Sequence, residues 1–315
     1  MSSSSLAREA TEEAQLGANP LAFHTPQPED IHWVKPLLFA SGRMGCELCF
    51  GNIYAWAPLY RSELAQHGGF LLSRFVDDHN VAYCYPVGEG KLREALALLR
   101  ADAHLRGNPL QMRCITAVEV ERLEQAMPGF FRFEAIRADA DYIYKRSDLA
   151  ELPGKKYHQK RNHIARFDRE RSWEYCALQP ADLPECLEML RGWEALNADR
   201  DPVGLEHEFN ALHRSFANFE LFELKGGLLR SEGQIVAFTL GEAINAQVFC
   251  THFEKAFATM PGAYQLINRE FAARALSGYE YVNREEDIGS EGLRRAKLSY
   301  YPEILLEKYV AVEIC

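Results

Sequence analysis

The stretch 281–297 holds the densest set of side chains in this chain that could do chemistry. Two apolar residues there indicate the end of a strand, and five polar residues follow them: Asn283, Arg284, Glu285, Glu286 and Asp287. Adjacent carboxylates repel one another unless cations or bound groups face them. Residues 293–297 then predict a short basic helix. The pattern predicts a strand end that lines a cleft and faces positive charge.

A basic segment far upstream could supply that charge. Residues 154–171 contain seven Lys or Arg and two acidic residues, a net charge of +5. The apolar stripe of the predicted helix consists of Tyr157, Ile164 and Phe167. Lys160 and Arg161 fall on or beside this stripe, and a buried cation needs a partner. We predict that Glu285, Glu286 or Asp287 supplies this partner, so that Lys160 or Arg161 lies either in a substrate-binding cleft or in a purely structural ion pair.

The overall composition limits the class of protein. The chain has 315 residues, of which 47% are apolar, enough for two ordinary domains with ample cores. The net charge of −10 and pI of about 5.6 argue against a general nucleic-acid coat protein, but they permit a local basic groove. No run of about 18 apolar residues occurs, so no transmembrane segment is predicted.

The cysteines and the N-terminus indicate a cytoplasmic location. Eight cysteines lie mostly in apolar surroundings, and the Ser-, Ala- and Glu-rich start lacks the features of a signal peptide. Reduced thiols in a cytosolic protein are typical of this pattern. Cys46 and Cys49 have the spacing of a metal-binding knuckle, but no second matching pair follows. We predict two structural thiols, no metal site, and a flexible tail over 1–25.

Hydrophobic periodicity predicts alternating strands and helices. The first half is predicted to contain a helix over 26–40, an aromatic segment over 47–56, a hairpin of strands 69–76 and 81–85 around a turn at 77–80, a helix over 91–104, a strand over 112–116, a helix over 118–126, and strands over 130–136 and 141–145. The second half is predicted to contain helices over 155–171, 184–193, 206–218 and 260–276, and strands over 173–178, 227–230, 235–240, 248–253, 279–283 and 303–312.

A Pro-Gly break in the pattern of helices and strands, and a similarity between the two halves of the sequence, indicate the domain organisation. Pro153 and Gly154 interrupt the pattern, which predicts domains over 26–150 and 151–315. Hairpins that begin Gly68-Gly-Phe-Leu-Leu and Gly226-Gly-Leu-Leu occupy similar places in the two halves. The halves are therefore either two copies of one fold or alike by chance.

Six segments resemble the phosphatidylglycerol lysyltransferase C-terminal domain family in order and spacing. They are 154–167, 235–242, 252–255, Gly262-Ala-Tyr-Gln-Leu-Ile-Asn268, Tyr281-Val-Asn-Arg-Glu-Glu-Asp287 and 292–300. The resemblance runs from about residue 21 to the end. It implies an α+β fold of two tandem acyltransferase domains of the Gcn5-related N-acetyltransferase (GNAT) type, each a mixed, mostly antiparallel sheet flanked by helices. The resemblance is to stand-alone cytoplasmic members without the membrane part of the lipid-modifying enzymes.

The resemblance also implies transfer of an acyl or aminoacyl group to an amine or hydroxyl. In the lipid-modifying relatives the donor is aminoacyl-tRNA and the acceptor is phosphatidylglycerol. We therefore expect a small-molecule or lipid-headgroup acceptor and no tightly bound cofactor. If the donor is a tRNA, phosphate contacts are expected from Lys155, Lys156, Arg166 and Arg169.

A helix start after the predicted strand 248–253 is the expected donor site. In the implied fold two central strands part there, and the free N–H groups of the helix attract anions. Donor binding is therefore predicted for Gly262, Ala263 and Tyr264. Acetyl-CoA-using members carry Gln/Arg-x-x-Gly-x-Gly/Ala at this place, where this chain has Thr259 first and Tyr264 last. A tyrosine would crowd a pyrophosphate, which favours aminoacyl-tRNA over acetyl-CoA, although an ordinary helix start with a core tyrosine fits as well.

Transfer needs a base or positioning group and a group that stabilises the oxyanion. The predicted catalytic residues are Glu254, Glu285, Asp287 and Lys297. The predicted substrate-binding residues are Lys160, Arg161, Asn283 and Arg294, and Arg161 and Arg294 are also candidate electrostatic stabilisers. His163 and His252 are interpreted as structural, and motifs of hydrolases, phosphate loops and zinc peptidases do not occur. The alternative is a non-catalytic ligand-binding protein of the same fold, which the missing phosphate-loop pattern favours.

Overall fold

The structure is a computed structural model that describes residues 21–77, 80–197 and 202–314. Its α-helices are α1 (Ile31–Ala40), α2 (Phe50–Tyr60), α3 (Leu92–Leu105), α4 (Ala117–Ala126), α5 (Arg146–Glu151), α6 (His158–Glu170), α7 (Leu183–Ala195), α8 (Pro202–Ala217), α9 (Ala263–Arg274) and α10 (Glu291–Leu298). Its strands are β1 (Glu63–His67), β2 (Phe70–Asp77), β3 (Asn80–Cys84), β4 (Val87–Gly88), β5 (Gln111–Ile115), β6 (Phe131–Ala135), β7 (Asp141–Lys145), β8 (Trp173–Ala177), β9 (Lys225–Ser231), β10 (Gln234–Ala243), β11 (Val248–Ala256), β12 (Tyr281–Asn283), β13 (Ile304–Leu306) and β14 (Tyr309–Glu313).

The chain forms two compact units whose segments alternate along the sequence. Unit 1 contains Tyr60–Ala135 and the described residues before Gln27 and after Glu307, and unit 2 contains Gln27–Leu59 and Ile136–Glu307. These units differ from the predicted ranges 26–150 and 151–315. The difference arises because β7 pairs with β12 and β13, whereas β14 pairs with β5 and β6. Hydrogen bonds between strands distant in sequence leave no local signal such as a Pro-Gly break.

Unit 1 is built on a sheet of strand order β1-β2-β3-β5-β14-β6, with β4 paired to β2. Leu96 and Leu99 of α3 pack with Met112 of β5 in its core. Leu21 is buried in the same core, and the backbone of His24 pairs with Leu64. The predicted tail is thus wrong for 21–25, where apolar burial and a strand bridge fix the chain, and its other residues lie outside the described ones.

Unit 2 is built on a sheet of order β13-β7-β12-β11-β10-β9-β8. The predicted stripe of α6 is confirmed, because Tyr157, Ile164 and Phe167 are buried in the core with Leu266 of α9. Burying large apolar side chains stabilises each by roughly 1.5–3 kcal/mol. The stripe thereby fixes which face of α6 meets the sheet, and so the direction of Lys160.

The structure corrects one local prediction and assigns a secondary structure to a segment that had none. The predicted strand over 303–312 is two strands, β13 and β14, in different sheets. The aromatic segment over 47–56 is a 3₁₀ turn, Cys46–Leu48, followed by α2. The predicted turn at 77–80 includes 78–79, which lie outside the described residues. Among the helices that the structure describes, none combines the length and apolar character needed to cross a membrane.

The two central strands of unit 2 part after a short parallel contact. β11 and β12 pair only through Val248–Cys250 and Tyr281–Asn283. β12 then ends, whereas β11 continues to Ala256. Opposite β10, Thr251 pairs with Gly241 and Phe253 with Leu240, so His252 is the extra residue of a bulge. A bulge re-aims the side chains that follow it, and polar groups line the gap between the strands.

Candidate active site

Glu254 and Arg284 form the centre of the gap between β11 and β12. Arg284 Nη2 donates to Glu254 Oε1 at 2.9 Å, and Asn268 Nδ2 of α9 donates to Glu254 Oε2 at 3.2 Å. The side chains of Arg284 and Glu254 are 14% and 11% exposed. Arg284 Nη1 and Asn268 Oδ1 are buried and find no hydrogen-bond partner within the described parts of the chain. Beside the Glu254 carboxylate, Arg284 therefore keeps one unused donor and Asn268 one unused acceptor, both enclosed by protein.

Lys160 completes this cluster from α6. Its Nζ donates to Ser299 Oγ at 2.6 Å and lies 4.0 Å from the centroid of the Tyr300 ring. Arg284 Cζ lies 5.0 Å from the same centroid. Burial and, in the same direction, the nearby charge of Arg284 lower the pKa of the Lys160 ammonium to about 8. A lysine with this pKa can accept and return a proton near neutral pH.

The three charged groups carry one excess positive charge. Glu254 neutralises Arg284 in a direct ion pair. Lys160 contacts only the Ser299 hydroxyl and the face of the Tyr300 ring among the groups of this cluster. An unpaired guanidinium N–H in a partly buried site suits an anion or a developing oxyanion. The cluster thus offers a proton acceptor, an oxyanion donor and an orienting carboxylate, which are the parts that acyl transfer requires.

The end of α10 holds this cluster in place. Tyr144 Oη donates to the Lys297 carbonyl at 2.8 Å, and Tyr157 Oη donates to the Tyr300 carbonyl at 2.7 Å. Lys297 Nζ donates to the carbonyls of Arg284 and Glu286, and burial lowers its pKa. The structure therefore places the predicted catalytic Lys297 behind the 284–286 backbone, where it positions Arg284.

Asp287 is completely buried in a cage of donors. Its carboxylate accepts two bonds from Arg294, at 2.8 and 2.9 Å, one from Tyr142 Oη at 2.6 Å and one from Arg137 at 3.2 Å. Hydrogen bonding to Arg294 holds the pKa of Asp287 well below its usual range. Asp287 and Arg294 therefore attach α10 to the strand end. The predicted counter-charge role exists here, but its partner is α10, not the basic helix.

Neither cation of the predicted α6 pair faces the 285–287 carboxylates. Arg161 donates to the carbonyls of Leu152 and Gly154 at the end of α5, because the turn before α6 places acceptors there. Lys160 faces Ser299. The predicted ion pairs are thus wrong, since the carboxylates turn towards other groups after the strand ends.

Glu285 turns away from Lys160 and contacts His252. Its φ of +59° lies in the left-handed region, which is unfavourable for a residue with a Cβ. Asn283 Oδ1 accepts the Glu285 N–H at 2.7 Å and Asn283 Nδ2 donates to Asp141 at 2.8 Å, so the turn is held firmly. The structure thus places the predicted Asn283 as a scaffold residue and Glu285 beside His252 Nδ1, at 2.8 Å.

The predicted donor residues begin α9 as a packed helix start. Gly262 has a φ of +102°, and a Cβ there would collide with the His163 carbonyl of α6. Ala263 is fully buried, and its N–H donates to the Met260 carbonyl at 3.1 Å. Burial raises the pKa of Tyr264, which packs against the core of unit 2. Gly262 and Ala263 thus lie in the packed contact between α6 and α9.

Four residues of the cluster were not among the predicted sites: Arg284, Asn268, Ser299 and Tyr300. Arg284 was visible as the cation inside the polar run, and Tyr300 lies within a segment that carried the family resemblance. Asn268 gave no signal beyond a polar residue on a helix. Of the predicted residues, Glu254 and Lys160 are brought within this one cluster.

Comparison with known proteins places this geometry in context. A family model described as "Phosphatidylglycerol lysyltransferase, C-terminal" matches residues 40–312. A conserved protein of unknown function from Bacteroides thetaiotaomicron is 41% identical, with a TM-score of 0.89 over 93% of this chain and all of that chain. An uncharacterized protein from Mycoplasmoides gallisepticum is 24% identical over 56% of this chain, and the match spans 58% of that relative's length.

More distant structures confirm the fold. L-PGS from Bacillus licheniformis is 17% identical, with a TM-score of 0.65 over 92% of this chain and 93% of that one. A tandem GNAT protein from the clavulanic acid biosynthesis pathway is 10% identical, with a TM-score of 0.50 over 93% and 98% of the two chains. The predicted α+β fold of the tandem GNAT type is therefore confirmed.

Proposed function

The chain belongs to the phosphatidylglycerol lysyltransferase C-terminal family, and on that premise we propose that it transfers an aminoacyl group from aminoacyl-tRNA to an amine or hydroxyl. The observation that carries the proposal is the Lys160–Arg284–Glu254 cluster, with its lowered lysine pKa and its unpaired Arg284 N–H. The family relationship supports the transferase class, and the cluster supports the place of reaction.

Lys160 takes the proton in this mechanism. The acceptor's amine or hydroxyl attacks the ester carbonyl of the donor, and neutral Lys160 accepts the proton that the nucleophile loses. Arg284 Nη1 donates to the oxyanion that forms, while Glu254 holds the guanidinium in position. The carbon–oxygen bond to the tRNA ribose then breaks, and the Lys160 ammonium returns its proton to the ribose hydroxyl.

Two features favour aminoacyl-tRNA as the donor over acetyl-CoA. Gly262 packs so closely on α6 that a Cβ there would collide with the His163 carbonyl, and Tyr264 stands where CoA-using members have a small residue. Lys155, Lys156 and Arg169 are exposed at the ends of the basic segment, where they suit the phosphates of an RNA. We propose a lipid headgroup or small amine as acceptor.

Charged tRNA provides the test. The purified chain is incubated with a panel of aminoacyl-tRNAs and acyl-CoAs, together with phosphatidylglycerol vesicles or small amines. Transfer of radiolabelled amino acid to an acceptor supports the proposal, and no loss of charge from any tRNA with no thiol release from any CoA contradicts it. Arg284→Lys should lower the rate roughly 10²- to 10³-fold, as expected for loss of an oxyanion donor. The control is Arg122→Lys, the same substitution at an exposed position of α4.

The second candidate is a non-catalytic protein that binds an aminoacyl ligand in the same cluster. The close-packed start of α9 favours it, because the phosphate-binding loop of the CoA-using members is missing. Saturable binding of a charged tRNA or an amino-acid ester without turnover would select this alternative.

A further inference from the structure

A second polar cluster in unit 2 lies around the bulge at His252. Cys49 stands just before α2, and Cys250 and His252 lie on β11. Their ligand atoms are all within 4.8 Å of one another. Both cysteines are fully buried, and the His252 side chain is 4% exposed. From this juxtaposition we propose that unit 2 binds a zinc ion through Cys49, Cys250 and His252, with Glu285 as the fourth ligand.

Cys49, Cys250 and His252 lie close enough to share one ion, and Glu285 lies beside two of these three ligands. Bond lengths of about 2.3 Å to sulfur and 2.0 Å to nitrogen or oxygen place ligand atoms roughly 3.3–3.8 Å apart. Glu285 Oε1 lies 3.8 Å from Cys250 Sγ and 2.8 Å from His252 Nδ1. A small outward shift of the carboxylate makes room for the ion. The strained φ of Glu285 is what directs its side chain to this place.

The groups behind these ligands have the arrangement of an outer coordination shell. His252 Nε2 lies 3.2 Å from Glu242 Oε1, and Glu242 is 1% exposed. Metal-binding histidines commonly donate their second N–H to a carboxylate in this way, which fixes the ring and its tautomer. Asn52 Nδ2 donates to Glu285 Oε1 at 3.2 Å and so orients the fourth ligand.

The protons that leave on binding and the types of ligand atom define the metal. Binding of Zn²⁺ displaces the two thiol protons and any proton on Nδ1, so that both sulfurs and the ring nitrogen donate lone pairs to the ion. Thiolates with imidazole favour zinc over magnesium or calcium.

The Cys46-x-x-Cys49 spacing is not the basis of this site. Cys46 Sγ lies 3.3 Å from Asp141 and 3.1 Å from Glu286, in a separate cluster. Cys49 instead meets a cysteine that is distant in sequence. The proposal goes beyond the transferase function and is independent of it. Because Glu285 directly follows Arg284 in the sequence, an ion bound to Glu285 would also restrain the backbone at Arg284.

Metal titration of the whole chain tests the proposal without any variant. Protein kept under a reductant that does not bind metals is loaded with Zn²⁺ in competition with a chromophoric chelator, and separately with Co²⁺. We expect about one equivalent of zinc and, with cobalt, thiolate-to-metal charge-transfer absorption with intense tetrahedral bands. Zinc should also protect Cys49 and Cys250 from alkylation under partly denaturing conditions, with Cys186 as the internal reference. No stoichiometric uptake, or cobalt bound without thiolate bands, would overturn the site.

Variants then locate the ion. Cys250→Ser should lose stoichiometric zinc, whereas Cys186→Ser, at an equally buried thiol of α7, should keep it. Glu242→Gln should bind zinc roughly 10- to 100-fold more weakly, as is usual for loss of an outer-shell partner. Wild-type affinity in Cys250→Ser would place the ion elsewhere and refute the assignment.

Discussion

Replacing Lys160 by methionine should stabilise the protein at neutral pH while abolishing transfer. Burial and Arg284 lower the pKa of this lysine from 10.5 to about 8. One pKa unit corresponds to 1.36 kcal/mol, so the whole shift represents about 3 kcal/mol. Because solvent screens a side chain that is only partly buried, we expect a gain of about 1–2 kcal/mol in the free energy of unfolding. Methionine retains the packing on Tyr300.

The difference in stability between Lys160→Met and the wild type depends on pH, because the folded and unfolded chains release the Lys160 proton at different pH values. Below pH 8 Lys160 is charged in both states, and the fold disfavours that charge. Between about pH 8 and 10.5 the unfolded chain binds the proton that the folded chain has lost, so wild-type stability rises with pH relative to the variant. The stabilisation in Lys160→Met should therefore be largest at pH 7 and shrink towards pH 10.5.

Urea unfolding at several pH values measures this difference. Lys155→Met is the matched control, and its effect should stay within about 0.5 kcal/mol at every pH because Lys155 is exposed. A Lys160→Met variant that is destabilised at pH 7, or a difference that does not vary with pH, would refute the assignment of Lys160 as a desolvated lysine. Transfer that survives the substitution would refute its role as proton acceptor.

Three further substitutions test the rest of the site. Asp287→Asn should cost about 1.5–3 kcal/mol in urea unfolding at neutral pH, because it removes the charge from a fully buried carboxylate that accepts hydrogen bonds from Arg294, Arg137 and Tyr142. The cost should diminish as the pH falls below about 4, because the unfolded chain then binds a proton that the folded wild-type carboxylate, with its lowered pKa, does not. Gly262→Ala should lower stability by about 1–3 kcal/mol, whereas Gly278→Ala, where a Cβ meets nothing within 4 Å, should be nearly neutral by thermal melting. Glu254→Gln should reduce kcat/KM roughly 100-fold and also lower the melting temperature, since it loosens Arg284 and leaves this largely buried guanidinium without its counter-charge; an unchanged kcat/KM would show that Arg284 needs no orienting carboxylate.

Local pattern was enough to predict most elements of the fold. The α6 stripe, the hairpin of β2 and β3 and the strands of unit 2 follow from periodicity, because a helix or strand must bury one face. Periodicity could not predict which strands pair in the same sheet. β7 and β14 each pair with strands far away in sequence, and the boundary inferred from Pro153 and Gly154 therefore differs from the compact units.

Residue types also limited what could be said of the sites. Lys160 was identified because charge beside an apolar stripe is unusual, and Glu254 because it directly follows a predicted strand. The partner of Lys160 was misassigned, because the chain reverses twice after β12 and sends Glu285 and Asp287 to different neighbours. The bulge at His252 likewise left no mark in the sequence, yet it places Glu254 and His252 in separate clusters.

The sequence by itself determined the family, the α+β fold and the concentration of chemistry around 281–297, since these depend on residue identity and local spacing. Only the tertiary structure decided which charges meet. It joined Arg284 to Glu254, surrounded Asp287 with arginines and brought Cys49 to Cys250. The physical reason is that side-chain direction at a strand end depends on a few backbone dihedral angles, and packing between distant segments sets those angles.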